Sequence, residues 1–296
     1  MDNKDIFKKA CLLQFSTSVW QSSRVLDQSV LAEKLGQDIE WLRGRKFLIN
    51  PELLGPIKTA VHQARNTILK FALPFPITSI YLIPKDCLSV IDEQLHHFKD
   101  RYWNKVSDFE ALYEVGREEA QEILKDLFNE TDYPTDIRSK FRFEWRFLIL
   151  GIPGKTNLLT PAIYEREKEK FQELMEETRE LSVVAIREEF AQVVSHLVER
   201  LSGNNGKPKV LTNNLFNKLN EFIDDLGSRN IFEDSQLTEL AEQARSIIGG
   251  ISPYNLKYSQ NLRKQIRDDM ESVKVAIDVA IEDMPRRKMR LDTMAV

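Results

Sequence analysis

The sequence predicts a mainly α-helical protein. Long coiled-coil helices join a small mixed α/β head of two to three short strands to a C-terminal helical bundle. Residues 85–130 carry apolar side chains at heptad spacing, and residues 161–201 carry a second long apolar stripe. Residues 141–150 alternate between apolar and charged side chains, which is typical of a strand with one buried face. Only 11 glycines and 11 prolines interrupt the 296 residues, which favours long helices.

Composition and charge limit the classes of function. The net charge of -4 gives no overall attraction to nucleic acid or to an anionic membrane. No apolar run approaches the ~18 residues of a membrane span, and the N-terminal stretch lacks the features of a signal peptide. We therefore expect a soluble, cytoplasmic protein. Its two cysteines, Cys11 and Cys87, lie in apolar stretches and are expected to be reduced and buried.

The head is expected to comprise residues 1–84 plus 131–160. Short strands are predicted at "FSTSVW", "KFLI" and "SIYLIP", with a helix from about 51 to 71. The stretch "FRFEWRFLIL" is the strongest strand signal, and it should pair with "SIYLIP" or "TSVW" because a single strand is not stable alone.

Residues 85–130 are predicted to form the first long coiled-coil helix. The apolar positions follow one another every three or four residues, with one stutter, and no proline interrupts them. A continuous helix would be ~60 Å long. A capping box at 107–110 allows a helical hairpin instead, but we expect the continuous helix. The seam consists of Leu88, Ile91, Leu95, Phe98, Tyr102, Val106, Phe109, Tyr113, Gly116, Ala120, Ile123 and Leu127.

Three pairs mark helix starts, because each places a capping side chain before a proline: Asn50-Pro51, Thr160-Pro161 and Ser252-Pro253. The second pair opens the long helix 161–201. A linker-like stretch, "SGNNGKPK", follows at 202–209.

The C-terminal helical region is predicted over residues 210–285. Its helices are expected at about 212–226, 235–248 and 253–284. Gly227 and Gly249-Gly250 should end the first two of these helices. Residues 286–296 form a basic tail.

One stretch, "FLILGIPGKT" (147–156), looks like the start of a phosphate-binding loop. A Walker loop needs four residues between its glycines, whereas two separate Gly151 from Gly154, and one of these is Pro153, which has no N–H to donate. We interpret the stretch as a turn between a strand and a helix, with a surface lysine.

The other motifs of catalysis are weaker. The four histidines lack metal-ligand spacing. Asp136, Glu144 and Arg146 could support a metal-dependent nuclease, but an arginine cannot act as a base. A salt bridge on a solvated strand face explains Glu144 and Arg146 equally well. The sequence thus predicts no catalytic, cofactor-binding or metal-binding residue.

Several cations are candidate contacts for nucleic acid or for an acidic partner. Two lie on the charged face of the predicted strand, two in the linker-like stretch and four in the basic tail. They are Arg142, Arg146, Lys207, Lys209, Arg286, Arg287, Lys288 and Arg290.

The order of these segments resembles an uncharacterised bacterial and phage family, classified as a domain of unknown function, over roughly residues 10–200. The resemblance is carried by "SVW" (18–20), "KFLINPELLGPIKTAVHQARNTILKF" (46–71), "SIYLIP", the heptad helix and "FRFEWRF". Members of that family are encoded beside MoxR-type AAA+ ATPases and von Willebrand A-domain proteins. The resemblance implies such a protein as partner, and it carries no active-site residue.

The leading hypothesis is a non-enzymatic helical adaptor or assembly component that works with protein partners, with a homo-oligomer as a further expectation. One alternative is a nucleic-acid-binding protein of a phage or mobile element, and a second is a metal-dependent nuclease.

Overall fold

The computed structural model describes residues 6–35, 43–150, 159–202 and 214–284. It has two compact units. The first contains residues 1–12, 73–86 and 149–296, and the second contains residues 13–72 and 87–148. The described helices are α1 (Ile6–Lys9), α2 (Gln28–Leu35), α3 (Gly55–Phe71), α4 (Leu88–Leu124), α5 (Pro161–Ser202), α6 (Asn217–Arg229), α7 (Ser235–Ile248), α8 (Pro253–Tyr258) and α9 (Gln260–Glu282). The mainly helical fold class is confirmed.

The described strands are β1 (Ala10–Ser18), β2 (Ser23–Val25), β3 (Arg45–Phe47), β4 (Ile80–Pro84) and β5 (Arg142–Leu148). One sheet has the order β4-β1-β5, so the strand of "FRFEWRFLIL" pairs with the N-terminal strand, one of its two predicted partners. The second sheet is the antiparallel pair of β2 and β3, in which Arg24 faces Lys46.

In the second unit, α4 is one continuous helix, so the hairpin alternative is wrong. Eight seam residues from Ile91 to Ala120 are buried, and the helix packs against α3 and β5. The seam ends earlier than predicted, because α4 stops at Leu124, where Lys125 takes a φ of 48° that an α-helix cannot continue. Ile123, predicted in the seam, is 78% exposed.

The side chain of Tyr102 joins three elements of the second unit. Tyr102 is fully buried, and its hydroxyl donates a hydrogen bond to the carbonyl of Ser18 at 2.6 Å. The same hydroxyl accepts one from the backbone N–H of Arg142 at 3.2 Å. Burial raises the pKa of Tyr102 to about 12, although the hydrogen bond from Arg142 opposes the shift. The end of β1, the middle of α4 and the start of β5 therefore share one buried polar group.

Two further tyrosines tie the segment after α4 to the same unit. The hydroxyl of Tyr113 donates to the carbonyl of Pro134 at 3.1 Å, and that of Tyr133 donates to the carbonyl of Leu48 at 2.7 Å. Burial raises the pKa of each phenol to about 12. These bonds pair backbone carbonyls that burial would otherwise leave without a donor.

Strand β5 alternates as predicted over its first half. Phe143 is buried and meets Phe15 edge to face, with 5.1 Å between ring centroids. Arg142, Glu144 and Arg146 are exposed. Phe147 and Ile149 are 40% and 71% exposed, so the predicted apolar face is longer than the buried one, which ends before Phe147.

In the first unit, α5 packs along α9, and α7 packs on both α6 and α9. The bounds of α5 agree with the predicted helix 161–201. Arg187 of α5 is buried and forms two hydrogen bonds to Asp234, the N-cap of α7, at 2.7 and 3.0 Å. It also donates to the carbonyl of Ala280 in α9. One guanidinium thus connects three helices.

The contact with Arg187 also affects the pKa of the Asp234 carboxyl group. Burial raises its pKa, but hydrogen bonds from Arg187 and from the backbone N–H of Leu237 lower it, and the net pKa lies below the ordinary value. A buried pair of this kind is costly to break on one side only, because the remaining charge stays buried without a partner.

Each predicted capping pair begins a helix: α5 begins at Pro161 and α8 at Pro253, whereas Pro51 begins a 3-10 helix (Pro51–Leu54) and α3 follows only from Gly55. The side chains of Asn50 and Ser252 accept hydrogen bonds from the N–H groups of Glu52 and Tyr254, and Thr160 accepts from Ile163 at 3.4 Å. Gly249 caps α7, and Gly250 follows with a φ of 71°, a conformation that glycine adopts without strain.

Two predictions about the C-terminal helices are wrong. Gly227 does not end a helix, since α6 runs through it to Arg229. The helix 253–284 is broken at Ser259, whose extended backbone and side chain cap a new helix by accepting from the N–H of Leu262.

The two cysteines lie in the described residues, whereas the loop after β5 and most of the linker-like stretch do not. Cys11 and Cys87 are both buried, as predicted, and neither forms a disulfide bond within the described residues; burial raises the pKa of Cys11. None of the described helices is long and apolar enough to cross a membrane. The loop "GIPGKT" and residues 203–209 of the linker-like stretch lie outside the described residues.

The three buried phenols predict that stability falls at alkaline pH. Their folded-state pKa of about 12 lies above the ordinary 10.0. The unfolded chain therefore releases these protons first, and their contribution, complete below pH 10, is lost as the pH rises toward about 12. Urea unfolding of the full chain at a series of pH values would give the slope of the free energy of unfolding against pH. Tyr102→Phe should reduce the slope, and an unchanged slope in the variant would contradict the assignment.

Candidate basic and aromatic cleft

A cleft of about 660 Å³ lies in the second unit beside α4 and the start of β5. Lys99 and Trp103 of α4 lie one helical turn apart on one wall. The cleft is lined by Ser18, Lys99, Trp103, Ser139, Phe141, Arg142, Phe143 and Glu144. We refer to this set as the cleft.

The local fold determines which side chains reach the cleft. Phe141 and Phe143 are buried, so the alternation of the strand leaves Arg142 and Glu144 exposed. The hydroxyl of Tyr102 accepts a hydrogen bond from the backbone N–H of Arg142, and the hydroxyl of Ser18 donates one to the carbonyl of Lys140 at 3.1 Å. The start of β5 is thus held on both sides by hydrogen bonds.

Cations lie over the two tryptophan rings near the cleft. The guanidinium carbon of Arg138 is 4.9 Å from the ring centroid of Trp103, and Arg138 also pairs with Glu110 at 2.8 Å. The amine of Lys99 is 5.5 Å from the ring centroid of Trp145. Trp145 is oriented by a hydrogen bond from its indole N–H to Asp92 at 2.9 Å.

Arg142 differs from Arg138 in having no partner. In the part of the chain that the structure describes, the guanidinium of Arg142 makes no hydrogen bond or ion pair. Glu144 is the one carboxylate among the residues that line the cleft. The cleft therefore combines two cations and three aromatic side chains with a single negative charge.

Of the cations that the sequence singled out, only two lie in the described residues. Arg142 lines the cleft, whereas Arg146 lies on the same exposed strand face, beyond Glu144 and outside the lining. The other six, Lys207, Lys209, Arg286, Arg287, Lys288 and Arg290, lie outside the described residues.

The sequence did not identify Lys99, Trp103 or Arg138 as candidate site residues. Lys99 and Trp103 are four residues apart on α4, a spacing that places them on one helix face beside the buried seam. That spacing could have identified Lys99 and Trp103 as neighbours on one face of the helix. Arg138 belongs to a short 3-10 turn, and no periodicity marks it.

The three residues of the nuclease hypothesis have separate surroundings. Asp136 accepts from the backbone N–H of Ser139 at 3.3 Å and so shapes a turn. Glu144 and Arg146 form no ion pair with each other within the described ranges. Among the residues described, no group of three histidines, cysteines or carboxylates could hold a metal ion.

Comparison with known proteins places this arrangement in a family. Residues 7–211 match the model of a family described as a protein of unknown function, DUF3150. The chain belongs to the DUF3150 family. The match includes every residue of the cleft, and α6–α9 lie beyond it. No curated protein and no solved structure matches the chain.

The contacts predict which arginines contribute to stability. Arg142→Ala and Arg146→Ala should each change the free energy of unfolding by less than about 0.5 kcal/mol, since neither guanidinium has a partner among the described residues. Arg138→Ala should cost about 1 kcal/mol through its exposed ion pair and its contact with Trp103. Chemical denaturation of the three variants measures this. A larger loss for Arg142 than for Arg138 would show that Arg142 has a structural role.

Proposed function

We propose that this DUF3150 protein is a non-enzymatic helical adaptor and that its cleft binds an acidic segment of a protein partner. The observation that carries the proposal is the unpaired guanidinium of Arg142, which lies beside Lys99 and Trp103 in one cleft. An exposed cation that pairs with none of the described residues is available for a partner.

The chemistry of the cleft suits carboxylates. Arginine binds a carboxylate with two parallel hydrogen bonds, which gives orientation as well as attraction. Lys99 adds a second charge, and Arg138 and the exposed Lys140 lie on the segment that enters β5. Trp103 provides apolar area at low entropic cost, and tryptophan and arginine are the residue types that most often carry the energy of protein interfaces.

The family resemblance narrows the choice of partner. It implies a MoxR-type AAA+ ATPase or a von Willebrand A-domain protein, for which this chain would serve as adaptor or substrate. An acidic loop of such a partner is the ligand that the cleft would take.

Affinity capture of the full chain from its host tests the proposal. Lys99→Glu combined with Arg142→Glu should lose a stoichiometric partner that the wild type retains, because both cations of the cleft become negative. The control is Lys58→Glu combined with Lys70→Glu, two exposed positions on α3 that do not line the cleft. Mass spectrometry identifies the partner, and light scattering gives its stoichiometry.

The outcomes separate clearly. Loss of the partner in the cleft variant alone supports the adaptor function, and a AAA+ ATPase in the eluate identifies its class. Equal binding by both double variants would show that the cleft is not the contact surface. A wild type that elutes only as its own oligomer would contradict the adaptor proposal.

A second candidate function is binding of single-stranded nucleic acid. It is favoured by the Trp103 ring beside Arg138, since bases stack on aromatic rings that basic side chains surround. Fluorescence anisotropy of a labelled single-stranded oligonucleotide would show affinity that falls with salt, by about 0.7 log units per phosphate contact for each log unit of salt. Trp103→Ala should weaken that binding by about 1 to 3 kcal/mol. Absence of binding at low salt would exclude this candidate.

A further inference from the structure

A groove of about 740 Å³ lies along the surface where α6 and α7 of the first unit meet. From α6 it is lined by Ile223, Asp224, Leu226, Gly227 and Asn230, and from α7 and the turn before it by Glu233, Ser235, Thr238, Glu239, Glu242 and Arg245. We refer to this set as the groove. It lies outside the part of the chain that matches the family model.

The groove is acidic and incompletely paired. Four carboxylates and one guanidinium line it. Asp224 pairs with Arg245 at 2.6 Å, and Glu233 pairs with Lys9. Glu239 and Glu242 are exposed and, among the described residues, have no ion-pair or hydrogen-bond partner. These two carboxylates lie three residues apart on the face of α7 that lines the groove.

Gly227 leaves the backbone of α6 open to the groove. It lies inside α6, where glycine is less favourable than any other residue except proline. A Cβ atom at this position would meet nothing within 4 Å, so no described neighbour requires the glycine. A glycine that lines a groove lets another chain approach the helix backbone closely.

The path of the chain places a suitable occupant beside the groove. Met284, at the end of the described chain, lines a cavity of about 410 Å³ together with Glu233 and Ser235. Both of those residues also line the groove. The following residues, 285–296, carry Arg286, Arg287, Lys288 and Arg290 against a single aspartate. Twelve extended residues reach up to ~40 Å, whereas α7 is only ~21 Å long.

We propose that the basic segment 285–296 docks in the groove between α6 and α7 of its own chain. The positive charge of the segment complements the carboxylates of Glu239 and Glu242, which line the groove. While the segment is docked, these cations are not free to contact nucleic acid or an acidic partner. The inference concerns the first unit alone and does not depend on the function of the cleft.

Zero-length carbodiimide cross-linking of the full chain tests the docking. Lys288 should form amide bonds with Glu239 or Glu242 in preference to Asp278 and Glu282, which are exposed and closer to Lys288 along the chain. A mixture of isotope-labelled and unlabelled chains separates bonds within one chain from bonds between chains. Mass spectrometry of the peptides gives both results.

A matched pair of variants gives the control. Gly227→Leu keeps every reactive group but fills the groove, and it should abolish the cross-link. Lys218→Leu adds the same side chain on the opposite side of α6 and should leave the cross-link intact. Circular dichroism verifies that both variants fold. If Gly227→Leu does not fold, high salt should abolish the wild-type cross-link instead.

Each outcome decides the proposal. A groove-specific bond within one chain supports it. A bond between chains would show that the groove takes the segment of a second copy, and equal reaction with Asp278 and Glu282 would show that the segment does not dock. Either of these results overturns docking within the chain.

Discussion

The hydroxyl of Tyr102 is the contact on which the second unit depends. Tyr102 lies in the middle of α4, and its hydroxyl donates a hydrogen bond to the carbonyl of Ser18 and accepts one from the N–H of Arg142. Without it, the carbonyl of Ser18 and the N–H of Arg142 would each lose a hydrogen-bond partner in a partly buried position. The same bond aligns the start of β5 with the turn of α4 that carries Lys99 and Trp103. Tyr102 thus helps to fix the start of β5, which supplies Arg142 to the cleft.

The long helices use their apolar stripes inside their own units. The seam of α4 is covered by α3 and β5, and α5 packs along α9. Two polar surfaces lie beside these packed stripes: a basic cleft with aromatic rings in the second unit, and an acidic groove lined in part by Gly227 in the first. The two surfaces have opposite charge and therefore suit ligands of different chemistry.

Much of the fold could be predicted from local patterns. The caps at Asn50, Thr160 and Ser252, the continuity of α4 and the alternation of β5 are recorded in neighbouring residues, and each was recognised. The wrong predictions, at Gly227 and Ser259, also came from reading local patterns alone. Gly227 has the composition of a helix end, but packing of α6 on α7 carries the helix past it. The break at Ser259 depends on a serine cap within a continuous stripe, which periodicity alone does not reveal.

The sequence by itself determined the helical class, the two long helices and the exposed charges of β5, because spacing along the chain decides which side chains share a face. Only the tertiary structure decided that Arg142 meets Lys99 and Trp103, and that Met284 lies beside the acidic groove. These residues are far apart in the chain and are brought together by packing. Periodicity records which face of an element is buried, whereas it does not record which element covers that face.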